Sequence, residues 1–273
     1  MCLIALAYHP DAPHWLHLVA NRDEFHDRPS AALDDWPDAP QILGGRDLQA
    51  GGSWLALHRR GRLATVTNVR DPALVVPKQA PSRGELVHQA LTCDDLAAWL
   101  ERLAAGEAWR YAGFNLLVAE ERRLWHLHRS RHALTLRRVG PGLHGLSNAD
   151  LDTPWPKLLA SRQGLADSLT QGVWPDTALA AMGDTQEITN AARLPDTGVG
   201  RELERRLSAA FILGDTYGTR ALTWLRWHRE GRVEITERRF GPGGQARGET
   251  HRLLRLDARS PPSASLSADT PKN

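Results

Sequence analysis

The chain opens with Met1-Cys2-Leu3-Ile4-Ala5-Leu6-Ala7-Tyr8-His9-Pro10. Leu3 to Tyr8 is a continuous apolar run, the pattern of a core strand. A cysteine stands immediately before it. A free cysteine is ordinarily a small buried hydrophobe. The second reading is chemical. Residue 2 is small enough for Met1 to be removed, which would leave a thiol and a free α-amine on one residue. The amine has an ordinary pKa of roughly 7.7–8.0 and is partly unprotonated near neutral pH. A nucleophile beside its own base is the N-terminal-nucleophile arrangement. No export signal is expected, because the run is short and has neither a basic flank nor a cleavage site.

Working outward, a turn-like HPDAPH precedes a second apolar run, Leu16–Ala20, which ends in Asn21-Arg22-Asp23-Glu24. Packing does not require four polar residues there. One reading is a solvated turn with a local Arg–Asp pair. The other sets Arg22 and Asp23 beside Cys2 on an adjacent strand, where a cation favours thiolate and a carboxylate orients the amine. Strand-like pieces follow at Ser53–His58 and Arg62–Asn68, joined by a hairpin at Arg59-Arg60-Gly61. Ser82-Arg83-Gly84-Glu85 has capping-box spacing, and a second helix is expected from about Thr92. Strands are expected again at FNLLVAE, RLWHLHR, HALTLRR and GLHGLSN. A helix follows Thr153-Pro154, read as an N-cap with proline at N1. Residues 172–203 read as a long irregular surface segment. Strands close the chain at TRALTWLRWH, RVEITERRF and THRLLRL. Grouped strands and helices predict an α+β layered fold rather than βαβ units. One domain is expected over 1–257, with a disordered tail over 258–273.

Composition narrows the function classes. A net charge of +2 argues against nucleic acid or an anionic membrane as partner. No apolar run reaches the roughly 20 residues that span a bilayer. Two distant cysteines, Cys2 and Cys93, do not form a disulfide framework, and a cytoplasmic location is expected. Of 34 basic residues 31 are arginine, and there are ten tryptophans, some of them candidates to line a pocket. His126 and His128 share a strand face and read as solvent-facing rather than as ligands. Cys93 reads as an incidental thiol near a helix N-terminus. The glycines of GGRDLQAGGSW suit either close backbone approach to a ligand or two tight turns. Asp47 within that block is a candidate binding-site group.

The blocks Cys2 plus strand, VANRDEF, GGRDLQAGGSWLAL, TNVRD, GLSNADLDTPWPK and YGTRALTWL together resemble the NRDE family, also called the transport and Golgi organisation protein 2 family. They span Met1 to about residue 230. That family in turn resembles the N-terminal-nucleophile hydrolases of the penicillin V acylase and bile-salt hydrolase branch. The resemblance implies a four-layer αββα sandwich with the nucleophile at the start of a central strand. It implies catalytic roles for Cys2, Arg22, Asp23, Asn68 (oxyanion hole), Asn148 (orienting nucleophile and substrate) and Arg220. Arg22 and Asp23 are adjacent here, whereas the acylases separate the pair by two residues. Asn21, Glu24, Asp47 and Trp54 are the candidates for substrate contact. The implied function is a cysteine amidohydrolase acting on a small acyl amide or ester with no cofactor. The alternative is a non-enzymatic carrier of haem, lipid or acyl-CoA on the same fold.

Overall fold

A computed structural model describes residues 2–256. Met1 and the tail expected over 258–273 lie outside the described residues. The strands are β1 (Cys2–Tyr8), β2 (His14–Phe25), β3 (Ser30–Trp36), β4 (Ala39–Asp47), β5 (Leu55–His58) and β6 (Arg62–Asn68). Two helices follow, α1 (Gly84–Thr92) and α2 (Leu96–Ala105). Then come β7 (Phe114–Glu120), β8 (Arg123–Arg129), β9 (Leu134–Arg138) and β10 (Gly142–Leu146). The helices α3 (Pro156–Thr170), α4 (Asp176–Met182) and α5 (Arg201–Arg206) precede β11 (Tyr217–His228), β12 (Arg232–Phe240) and β13 (Ala246–Arg255).

The strands form two antiparallel sheets, ordered β10-β1-β2-β11-β12-β13 and β3-β4-β5-β6-β7-β8-β9. The unbroken apolar run of β1 has a direct explanation. Its Ile4, Leu6 and Tyr8 enter the core between the sheets, with Leu18, Leu57 and Leu117. Its Leu3, Ala5 and Ala7 point the other way, onto Leu158 and Leu165 of α3 and Met182 of α4. On the far side, α1 and α2 cover the second sheet through Leu86, Val87, Leu100 and Leu103, against Ala64, Leu116 and Val118. The result is the αββα sandwich. Each fully buried Leu contributes roughly 1.5–3 kcal/mol, so the three apolar layers hold the order of the sheets. β1 lies inside its sheet between β10 and β2, which sets Cys2 at the start of an interior strand.

Several local expectations change. β2 runs through the NRDE segment instead of ending before it. β3 and β4 appear where no strand was predicted, and β4 includes Gly44 and Gly45. The capping box does not form: Ser82 Oγ accepts from Gly84 N at 3.3 Å, while Glu85 turns to Gln89. Pro156, not Pro154, is the N-terminal proline of α3. Residues 172–203 contain α4 and the start of α5. Cys93 lies at the C-terminal end of α1, with Arg62 Nη1 donating to its sulfur at 3.1 Å.

His126 and His128 are buried rather than solvent-facing. Asn115 Nδ2 donates to Thr67 Oγ1 (3.1 Å) and Ala149 O (2.8 Å), which fixes Asn115 Oδ1 as an acceptor. Both imidazoles therefore donate to it, His126 through Nε2 (3.1 Å) and His128 through Nδ1 (2.7 Å). Burial and then Arg137 push His126 down to about 3, and burial lowers His128. The unfolded chain takes up a proton at His126 near pH 6.5, the folded chain only near 3. As pH falls through that window the unfolded state binds more protons, so stability is lost. From pH 7 to 5 we expect a loss on the order of 2 kcal/mol from His126. Thermal melts should show it, with a shallower slope in His126→Gln. An equal slope in both would contradict the assignment.

Candidate active site

The site begins with register. Cys2 pairs with Arg22, and Leu3 with Asn21, across β1 and β2. Directly opposed residues share a face, and neighbours along a strand alternate. Arg22 therefore joins Cys2 on the face towards the second sheet, while Asn21 and Asp23 point to the helices. Adjacency in sequence sends Arg22 and Asp23 to opposite sides of the sheet.

Arg22 is 6% exposed. Its guanidinium lies 4.1 Å from the centre of the Trp54 ring, and Nη1 donates to Ser30 Oγ at 3.1 Å. Trp54 in turn lies over Gly45, where a Cβ would stand 2.1 Å from its Cζ2. Gly52 meets the first turn of α1 in the same way, with a Cβ there 2.3 Å from the carbonyl carbon of Gly84. The glycines of GGRDLQAGGSW thus admit neighbouring protein segments. Gly45→Ala should displace the Trp54 ring and cost about 1–3 kcal/mol. Melting temperature and indole fluorescence would report it, and an unchanged spectrum would contradict it.

On the helix side, Asp23 Oδ1 accepts from Thr219 Oγ1 at 2.7 Å, and Thr219 Oγ1 accepts from Ile212 N at 2.9 Å. Lys157 of α3 is buried, donates to Leu207 O at 2.8 Å, and is pushed down to about 8 by burial, with Asp23 acting against that shift. Asn21 Nδ2 donates to Met182 O and Ala210 O, both at 2.8 Å. Asn21 thus ties β2 to the helical layer, and it is not among the residues lining the Cys2 cavity.

A cavity of about 390 Å³ opens at the end of β1, lined by Cys2, Arg22, Asp47, Trp54, Asn68 and Arg83 among others. Asp23 and Glu24 also reach its wall. Asp47 is held by Arg28, with Nη2 to Oδ2 at 2.6 Å. Glu24 Oε1 accepts from Phe25 N at 2.9 Å. Burial raises the Cys2 thiol, Asp23 adds to that, and Arg22 opposes it. Asn68 ends β6 at the cavity wall, and its carbonyl accepts from Asn148 Nδ2 at 2.9 Å.

Two expected members stand outside this cavity. Asn148 is buried behind Asn68, and its Oδ1 accepts from Arg70 Nη2 at 3.3 Å. It positions the Asn68 backbone rather than facing the cavity. Arg220 falls at the register shift between Thr219 and Ala221 opposite β2. Its Nη1 donates to Phe25 O (3.0 Å) and Arg28 O, and it lines an adjoining cavity. Sequence reading missed Arg28, Arg83 and Lys157. Arg83 was hidden in a helix-start pattern. Lys157 was hidden in a helix, where a lysine is ordinarily exposed.

The transport and Golgi organisation 2 family model matches residues 1–242. The chain belongs to this family. Family relatives include the cattle transport and Golgi organization protein 2 homolog, 35% identical over 92% of this chain and 97% of that protein. The human homolog is 34% identical over 87% of this chain and 92% of its own length. Among solved structures, the chain is similar to a mutant of conjugated bile acid hydrolase from Clostridium perfringens. That match has a TM-score of 0.47 and 8% identity, and covers 92% of each chain. An N-acylethanolamine-hydrolyzing acid amidase ortholog from Caenorhabditis elegans matches with a TM-score of 0.38 and 9% identity. It covers 66% of this chain and 85% of its own. Among the described residues, no helix of this family member is long and apolar enough to cross a membrane. No group of three or more His, Cys, Asp or Glu among them is placed to hold a metal ion.

Proposed function

We propose that the protein is a cysteine N-terminal-nucleophile amidohydrolase acting on a small acyl amide or ester. The observation that carries this reading is the position of Cys2: first residue of an interior strand, paired with Arg22, at the wall of a cavity. At about 390 Å³ the cavity suits a small ligand.

With Met1 removed, the Cys2 thiol gives its proton to its own α-amine as Sγ attacks the substrate carbonyl carbon. Arg22 offsets the cost of partly desolvating the thiolate at the cavity wall. The side-chain amide of Asn68 and a backbone N–H receive the oxyanion, a contribution of about 3 kcal/mol per donor. The tetrahedral intermediate collapses, the C–N or C–O bond breaks, and the α-ammonium protonates the leaving group. Water then attacks the thioester, delivering a proton to the amine, and releases the acid and the free thiol. Nucleophile, base and donors all belong to this chain, so the sequence of steps uses no cofactor.

A carrier of haem, lipid or acyl-CoA would be served by tryptophans lining an apolar pocket. Trp54 lines the Cys2 cavity, whereas Trp15, Trp36, Trp99 and Trp227 are buried in the layers. Charged and polar groups dominate the wall, which favours a reacting polar substrate over an apolar passenger. A panel of N-acyl amides and acyl esters, with release of the acid quantified, tests the reading. Turnover that requires Cys2 supports it. No acid from any member, with Met1 shown to be removed, would contradict it.

A further inference from the structure

Behind the Arg22–Trp54 wall lies a second cavity of about 360 Å³, lined by Arg22, Arg220, Arg239, Arg247, His26 and Glu237 among others. Among the described residues none of these four arginines is in an ion pair within 4.0 Å, while most other arginines of the two sheets are paired. Glu24 and Asp27 act on Arg220 only from farther away. The buried Nε atoms of Arg220 and Arg239 make no hydrogen bond. Glu237 is buried, its Oε1 accepts from Leu33 N at 2.8 Å, and it acts on Arg239 and Arg22 only from beyond ion-pair distance, one carboxyl among four guanidinium groups.

The arginines are also placed by backbone. A Cβ on Gly241 would stand 2.6 Å from Arg247 Nε, and one on Gly248 would stand 3.0 Å from Arg239 Nη2. Gly241 opens the turn between β12 and β13, and Gly248 lies in β13 opposite Arg239, so the hairpin leaves room there for two guanidinium groups. One guanidinium satisfies one carboxylate through a two-pronged contact. Four guanidinium groups around one small cavity, none with a carboxylate oxygen within 4.0 Å among the described residues, call for an anion with more charge and more acceptor oxygens.

We propose that this arginine-lined cavity is a binding site for a phosphoryl or pyrophosphoryl group. The inference does not rest on the role of Cys2, which lines the other side of the wall.

Calorimetric titration of the full chain with pyrophosphate tests it, with citrate as a carboxylate of comparable charge. We expect saturable one-to-one binding of pyrophosphate and weaker binding of citrate. Arg247 is exposed, so Arg247→Ala should keep the fold and raise Kd about tenfold, the size of a lost charge-assisted contact. Gly241→Ala should weaken binding in the same direction by moving that guanidinium. Cys2→Ala should bind pyrophosphate as the parent chain does, which separates failure of this site from failure of the hydrolase reading. No saturable binding, binding unchanged in Arg247→Ala, or citrate binding as tightly as pyrophosphate would each overturn the proposal.

Discussion

Cys2→Ala is expected to abolish acid release from any acyl substrate, by at least about a thousandfold in kcat, while the chain stays folded. Loss of a nucleophile removes the covalent path entirely, and residual catalysis would come only from positioning and oxyanion donors. The stability cost should be small. Cys2 is only partly buried at a cavity wall, and its truncation removes one sulfur from an already open space. A melt within about 2 °C of the parent, together with lost turnover, is the expected pair of results. A large fall in melting temperature would instead mark Cys2 as a packing residue. Retained turnover would remove it from the mechanism.

Glu204→Gln carries the largest expected effect on stability. Arg70 Nη1 meets Glu204 Oε2 at 2.6 Å, with the side chains 5% and 3% exposed. The other carboxylate oxygen accepts from Thr197 N (2.8 Å) and Thr197 Oγ1 (2.6 Å). Removing the charge leaves a buried guanidinium without its counter-charge, which typically costs about 3–5 kcal/mol. For a domain of this size that is a fall on the order of 10 °C. The exposed pair Arg205–Glu202 is the control: Glu202→Gln should leave the melt essentially unchanged. Because Arg70 also holds Asn148, which holds the Asn68 carbonyl, Glu204→Gln should lower turnover even at temperatures where the chain is folded. Equal melts for the two variants would contradict this account.

The LIALA run reads as a core strand, the grouping of strands and helices as α+β layers, and the αββα order follows from the family resemblance; that β1 is covered on both faces is seen only in the packing. The NRDE segment was less legible as structure. Its polar residues looked like the end of a strand, yet β2 continues because each finds a partner far away in sequence. Asn21 reaches Met182 and Ala210, Asp23 reaches Thr219, and Arg22 reaches Trp54. Such long-range satisfaction leaves no local trace. Cys2, Arg22, Asp47, Trp54 and Asn68 gather at one cavity. Asn21, Asn148 and Arg220 do not join them, because strand alternation, a second layer of asparagine and a β-bulge turn them elsewhere. Arg83 enters the cavity only because Gly52 lets α1 come close, a tertiary contact that no spacing rule predicts.

The central claim is that Cys2, as the first residue of the mature chain, forms an acyl-enzyme. The most direct measurement is intact mass before and after brief exposure to a p-nitrophenyl acyl ester, on the parent chain and on Cys2→Ala. The account predicts a starting mass lacking Met1 and a single acyl increment that maps to Cys2, is cleaved by hydroxylamine and is absent from Cys2→Ala. A mass that retains Met1, or an acyl increment that persists in Cys2→Ala, would contradict it.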